Sequence, residues 1–199
     1  MNRIQKLTAL VSVLALSSVA SYGITVSSFS DDFESGIGKW TTTNGQIVSD
    51  PVDVTNNVLN FSASKGGGDA FSNDRVTSGG SYIIEFDYYG SAGSVGGGFV
   101  GYSMTTGGSN NWLFGNAYSS DDGPVIELAS NGSWAHYSRT FTALGTAPFH
   151  LMVEDFVAPG ENAYFDNFSF RAVPDTGSSL ALLGLGLIVL VGFRRRFSK

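Results

Sequence analysis

Ser81-Tyr82-Ile83-Ile84-Glu85-Phe86-Asp87-Tyr88-Tyr89 is the stretch that decides the fold of this chain. Ile84, Phe86 and Tyr88 alternate with Glu85 and Asp87, a period of two. Successive side chains of a strand point to opposite faces, so the pattern describes a strand with one apolar and one polar face. Working outward, short runs rich in Val, Ile, Phe, Tyr and Thr predict further strands. They lie at 24–29, 46–49, 58–63, 69–73, 97–104, 111–117, 124–129, 135–142, 148–154 and 163–171. Gly, Asn, Asp and Ser separate them, as turns require. Neither a helical period of useful length nor a repeat of about 20–50 residues interrupts the series. Closely spaced strands without intervening helices imply an all-β fold, an antiparallel β-sandwich of the jelly-roll kind.

Composition narrows the function. The chain has 199 residues with 26 Gly, 5 Pro and no Cys, which removes disulfides, thiolate metal sites and a thiol nucleophile. Gly66-Gly67-Gly68 and Gly96-Gly97-Gly98 adjoin strand signals without a following helix, so they read as turns or bulges rather than phosphate cradles. The formal charge of −6 argues against nucleic acid as a partner, because phosphate binding needs a basic patch.

The two ends read as addresses rather than fold. Arg3 and Lys6 precede the apolar run Leu7–Leu16, and small residues follow at Ser18 and Ala20. That is a secretory signal, residues 1–23, with cleavage expected after Ala20 or Gly23. At the other end Val173-Pro174-Asp175-Thr176-Gly177 precedes an apolar stretch, Leu180–Phe193, and the cluster Arg194-Arg195-Arg196. The basic cluster is expected to stay cytoplasmic while the single hydrophobic helix holds the tail in the inner membrane. The domain between, residues 24–172, keeps five of the 11 basic residues and all but Asp175 of the 17 acidic ones, a charge of −11. Such a surface suits neutral sugars or cations.

The tail, residues 173–199, resembles the VPDSG variant of the PEP-CTERM sorting signals, with Thr176 in place of the Ser. The resemblance implies that an exosortase, a membrane-embedded transpeptidase-like enzyme, reads the pentad, with Arg194, Arg195 and Arg196 as the membrane stop. It implies a chain exported to the cell envelope or matrix of an exopolysaccharide-making bacterium.

The middle resembles the jelly-roll carbohydrate-binding superfamily, including the galactose-binding-like domains. Asp31-Asp32-Phe33-Glu34-Ser35-Gly36 with Trp40 is similar to its opening strand. Gly132-Ser133-Trp134 followed by Tyr137–Thr142 is similar to a late strand. Ala163–Phe170, with Asp166-Asn167 inside it, is similar to the closing strand. The resemblance implies a structural calcium ion joining opening and closing strands, which would fall to Asp32, Glu34 and Asp166. Carboxylates and backbone carbonyls are the oxygen ligands that Ca²⁺ takes; the same residues also serve simply to bond turn backbone.

Sugar recognition needs aromatic rings for C–H faces and polar groups for hydroxyls. Tyr102, Asn111, Trp112 and Tyr118, around the Gly107-Gly108 turn, are the candidates, with core packing the alternative for Trp112. Trp40 and Trp134 read as core. Catalysis has weaker support. Glu85 and Asp87 share a face, but the second Glu of the related glucanase pattern is absent. Glu154 and Asp155 face opposite ways, and His136 and His150 are isolated. The expectation is a non-enzymatic, exported protein associating with exopolysaccharide or extracellular matrix; a matrix protein without a specific glycan is the alternative.

Overall fold

The computed structural model describes residues 25–62, 64, 66–77, 79–91, 97–105, 110–115, 119–120, 123–145, 147–155 and 162–173. The signal segment, the tail from Pro174 onward and Tyr118 lie outside these residues. The strands are β1 (Thr25–Val26), β2 (Ser28–Asp31), β3 (Trp40–Thr43), β4 (Gly45–Ser49), β5 (Asn57–Ser62), β6 (Gly68–Ser72), β7 (Arg75–Val76), β8 (Ser81–Gly90), β9 (Gly98–Ser103), β10 (Asn110–Phe114), β11 (Ser119–Ser120), β12 (Gly123–Pro124), β13 (Trp134–Thr142), β14 (His150–Asp155) and β15 (Asn162–Ala172). Two antiparallel sheets face each other. One has the order β10-β9-β14-β6-β3, the other β13-β8-β15-β5-β4, with β2 also pairing with β15. The described residues contain no α-helix, as the sequence period predicts.

Strand β8 is central to the six-stranded sheet, paired with β13 on one side and β15 on the other. Its alternation holds: Tyr82, Ile84, Phe86 and Tyr88 are buried while the intervening residues are not. Phe86 sits where the two sheets meet. Its ring lies 4.9 Å from Phe114, 5.7 Å from Tyr137 and 5.9 Å from Phe168, centroid to centroid. Gly98 faces Phe165 across the interface, and a Cβ there would lie 2.1 Å from that ring. The second glycine run thus ends inside a strand, where a side chain has no room, and not only in a turn.

The acidic opening motif works as a clamp. The buried Asp31 carboxylate accepts the Trp40 indole N–H at 2.8 Å and the Phe33 amide at 3.2 Å. These bonds and stacking of Phe33 on Trp40, 6.1 Å apart, hold Phe33 at φ +56°, a conformation that a bulky residue rarely adopts.

Two sequence expectations need correction. Trp40–Thr43 is a strand although three of its four residues are Thr. It pairs with β6, because Trp40 anchors it from the core and the threonines fit a sheet edge. The stretch 124–129 is mostly not a strand; beyond β12 it makes one bridge, Phe114 to Ile126. The amide of Val173, the last described residue, donates to the Ser81 carbonyl at 2.8 Å.

Candidate functional site

On the outer face of the six-stranded sheet, the polar phase of β8 runs Glu85, Asp87, Tyr89. Register places Tyr89 between Tyr164 of β15 and Trp134 of β13. The three half-buried rings form a row across adjacent strands, with centroids 5.5 Å apart for Tyr164–Tyr89 and 5.7 Å for Tyr89–Trp134. Trp134 is therefore not core, contrary to the sequence expectation; register with Tyr89, not Tyr88, turns it outward.

Beside the aromatic row lies a polar one. Asp166, Asp87 and His136 are in register on the same three strands. Between Asp166 and Ser169, β15 carries one residue more than β8 needs, a bulge, with Asn167 at φ +48°. A bulge re-aims side chains. Here it lets Asp166 and Asn167 both work on the outer face while Phe165 and Phe168 stay buried. Asn167 Nδ2 donates to Asp87 Oδ2 at 2.8 Å, and Asp87 Oδ1 lies 2.7 Å from His136 Nδ1.

The segment following β4 closes one side. Asp50 accepts the Trp134 indole N–H at 3.0 Å, and Asn56 Nδ2 bridges Asp50 Oδ2 at 3.2 Å and Asp166 Oδ2 at 2.9 Å. Val52 and Val54 stand 69% and 78% exposed along this loop. Burial works against ionisation of Asp50, but bonds from the Val52 amide, Trp134 and Asn56 outweigh it and hold the carboxyl below its usual range. For Asp166 burial wins over the Asn56 and Asn167 bonds, and nearby Asp87 and Asp50 add to it, so its carboxyl is raised. Rings for C–H faces, carboxylates that accept hydroxyl protons and amides that donate thus share one open surface.

The other predicted residues fall elsewhere. Tyr102 is fully buried between the sheets, against Phe149 at 4.9 Å and Phe141 at 5.3 Å, and its hydroxyl accepts the Leu144 amide. A ring held there cannot stack on a ligand, which corrects the expectation. Trp112 and Asn111 are half-buried on the edge strand β10, with Trp112 5.1 Å from Phe99. Trp112 pairs with Gly101, the neighbour of Tyr102, and so belongs to the opposite sheet face. Structure does not bring these residues together as one site.

The three expected calcium ligands are each engaged by donors of the protein itself. Glu34 accepts the amide and side-chain N–H of Asn57 at 2.8 and 3.0 Å, Asp166 is held by Asn56 and Asn167, and Asp32 caps the Glu34 amide. The depression beside Asp32, about 240 Å³ and also lined by Asp31 and Asn167, already holds the Lys39 ammonium. That group lies 2.6 Å from the Ser30 carbonyl and 3.5 Å from Asp31. Among the described residues no group of three or more His, Asp or Glu is arranged to hold a metal.

Residues 172–197 match the VPDSG-CTERM motif. No curated protein matches the chain. In overall structure it is similar to the K1 cleaved adhesin domain of Lys-gingipain from Porphyromonas gingivalis W83, at 14% identity and a TM-score of 0.53, covering 75% of this chain and 100% of that one. The K3 cleaved adhesin domain is similar at 13% identity and a TM-score of 0.51, covering 72% and 97%. The tandem CBM22-1–CBM22-2 domain of Paenibacillus barcinonensis Xyn10C is similar at 16% identity and a TM-score of 0.50, covering 73% of this chain and half of that one. At such identities the likeness is one of fold.

Proposed function

We propose that this chain is an exported envelope protein whose sandwich binds a neutral polysaccharide across the outer face of the six-stranded sheet. The observation that carries the reading is the row Tyr164–Tyr89–Trp134, in register beside Asp166, Asp87 and His136. Rings one strand apart, about 4.8 Å along the hydrogen-bonding direction, follow a sugar chain laid across the strands. The carboxylates disfavour an anionic polymer by like-charge repulsion. Binding is a better reading than catalysis, since Glu85 is engaged by Ser138 and Arg171, and Asp87 by His136 and Asn167.

Titration of the full chain with neutral and uronic-acid-rich polysaccharides, followed by Trp fluorescence, is the test. Tyr89→Ala is expected to weaken binding of a neutral polymer by roughly tenfold or more, as loss of a central aromatic contact does. Silence across the panel, or unchanged affinity in Tyr89→Ala, overturns the reading in favour of a matrix protein without a specific glycan.

The tail supports the sorting half of the proposal. An exosortase-type enzyme reads Val173–Gly177 while the stretch 180–193 crosses the inner membrane and Arg194–Arg196 stop it. Mass spectrometry of the mature protein from its host is expected to find a C-terminus within or just before 173–177; an intact Lys199 overturns processing.

A further inference from the structure

On the opposite sheet, at the rim where β6 begins and β14 ends, Asp69 and Glu154 stand directly across from each other in the ladder. Like charges in that position repel. Glu154 is only 7% exposed, and its Oε2 has no hydrogen-bond partner. Its other cross-strand neighbour is Phe99, which cannot supply one. Asp69, half-buried, accepts the Thr43 amide through Oδ1 at 3.2 Å. These groups line a cavity of about 250 Å³ together with Asp155, Asn44, Gly66, Gly67 and Gly68. Its described lining offers oxygen ligands from the acidic residues Asp69, Glu154 and Asp155, the Asn44 side-chain amide and the glycine backbone, and none of these described lining residues is cationic.

A buried carboxylate oxygen left without a donor is destabilising in a protein interior unless it is protonated or meets a cation. We propose that this rim is a binding site for a hard divalent cation, with Glu154 and Asp69 as its charged ligands. Calcium suits it best, because Ca²⁺ accepts irregular oxygen sets with neutral carbonyls, whereas Mg²⁺ demands a near-octahedral cage. The ion neutralises the Asp69–Glu154 repulsion and pins β14 to β6. A domain charge of −11 raises the local cation concentration. This site shares no residue with the glycan face and does not depend on it.

Calcium chloride titrated calorimetrically into the chelator-stripped full chain is expected to bind one-to-one, with a Kd of about 10⁻⁴–10⁻³ M, the range of extracellular calcium modules. Glu154→Gln, which keeps the shape and removes the charge, is expected to weaken binding at least about tenfold, and Asp69→Asn likewise, since charge count sets such affinities. The thermal midpoint of the unaltered chain is expected to rise with calcium and that of Glu154→Gln to stay put. Absence of saturable heat overturns the site. So does affinity unchanged from the unaltered chain in both Glu154→Gln and Asp69→Asn, or loss of the ion in Asp32→Asn but not in Glu154→Gln. Tyr89→Ala is expected to bind calcium normally, so failure here and failure of glycan binding are read separately.

Discussion

Phe86→Ala is expected to lower the unfolding free energy by about 3–5 kcal/mol, the cost of emptying a large aromatic site in a packed core. The ring is 0% exposed and is walled by Phe114 from the facing sheet and by Tyr137, Phe165 and Phe168 from its own. Those walls cannot collapse inward cheaply. Tyr137 and Phe168 ride on strands whose register with β8 and β2 is fixed over many residues. Whole-domain stabilities are about 5–15 kcal/mol, so the loss removes a large share. Urea unfolding followed by Trp fluorescence measures it. Ser138→Ala, on the exposed face of β13, is the comparison and is expected to change stability by less than about 0.5 kcal/mol. A loss near that value in Phe86→Ala would mean that the sheets do not meet at this ring.

Period two made β8 legible, because hydrophobic alternation is a local property and needs no partner strand. The same signal found most of β5, β6, β9, β13, β14 and β15 to within a few residues. It missed Trp40–Thr43, whose threonines carry no apolar phase and whose pairing with β6 depends on Trp40 reaching the core. The tail motif was legible for a different reason: its residues act in sequence order.

The aromatic face was not legible. Tyr89, Trp134 and Tyr164 become neighbours only through register, and register belongs to pairs of strands far apart in the chain. A signal did exist in the phase: Tyr89 continues Glu85 and Asp87 on the polar side of β8, where an aromatic has no core to join. The break after Phe165, where Asp166-Asn167 separates it from Phe168, likewise marks a bulge. Tyr102 misled in the other direction. Its place on the expected strand before the Gly107-Gly108 turn left its face open, yet Gly98–Ser103 is buried on both faces, and small residues there leave room for adjoining rings.

Glu154→Gln is expected to stabilise the calcium-free domain at alkaline pH, against the usual sign for a core substitution. Burial, reinforced by Asp69, lifts the Glu154 carboxyl from 4.5 to about 7 in the folded state. Below pH 4.5 both folded and unfolded chains carry the proton, and the substitution is neutral. Between pH 4.5 and 7 the unfolded chain loses its proton while the folded one keeps it, so stability falls as pH rises. Above pH 7 the folded chain holds a buried anion at full cost. Gln cannot ionise, and the gap between variant and unaltered chain therefore opens across that window, reaching up to about 3 kcal/mol. Urea unfolding at pH 4, 6 and 8 in chelator reads the gap directly, since titrations elsewhere in the chain cancel in the difference. Added calcium is expected to close it at pH 8, because the ion supplies the charge that Glu154 and Asp69 lack. A gap of opposite sign, with the unaltered chain the more stable at pH 8, would mean that Glu154 is ionised and paired in the folded chain. The cavity at the sheet rim would then have no need of a cation.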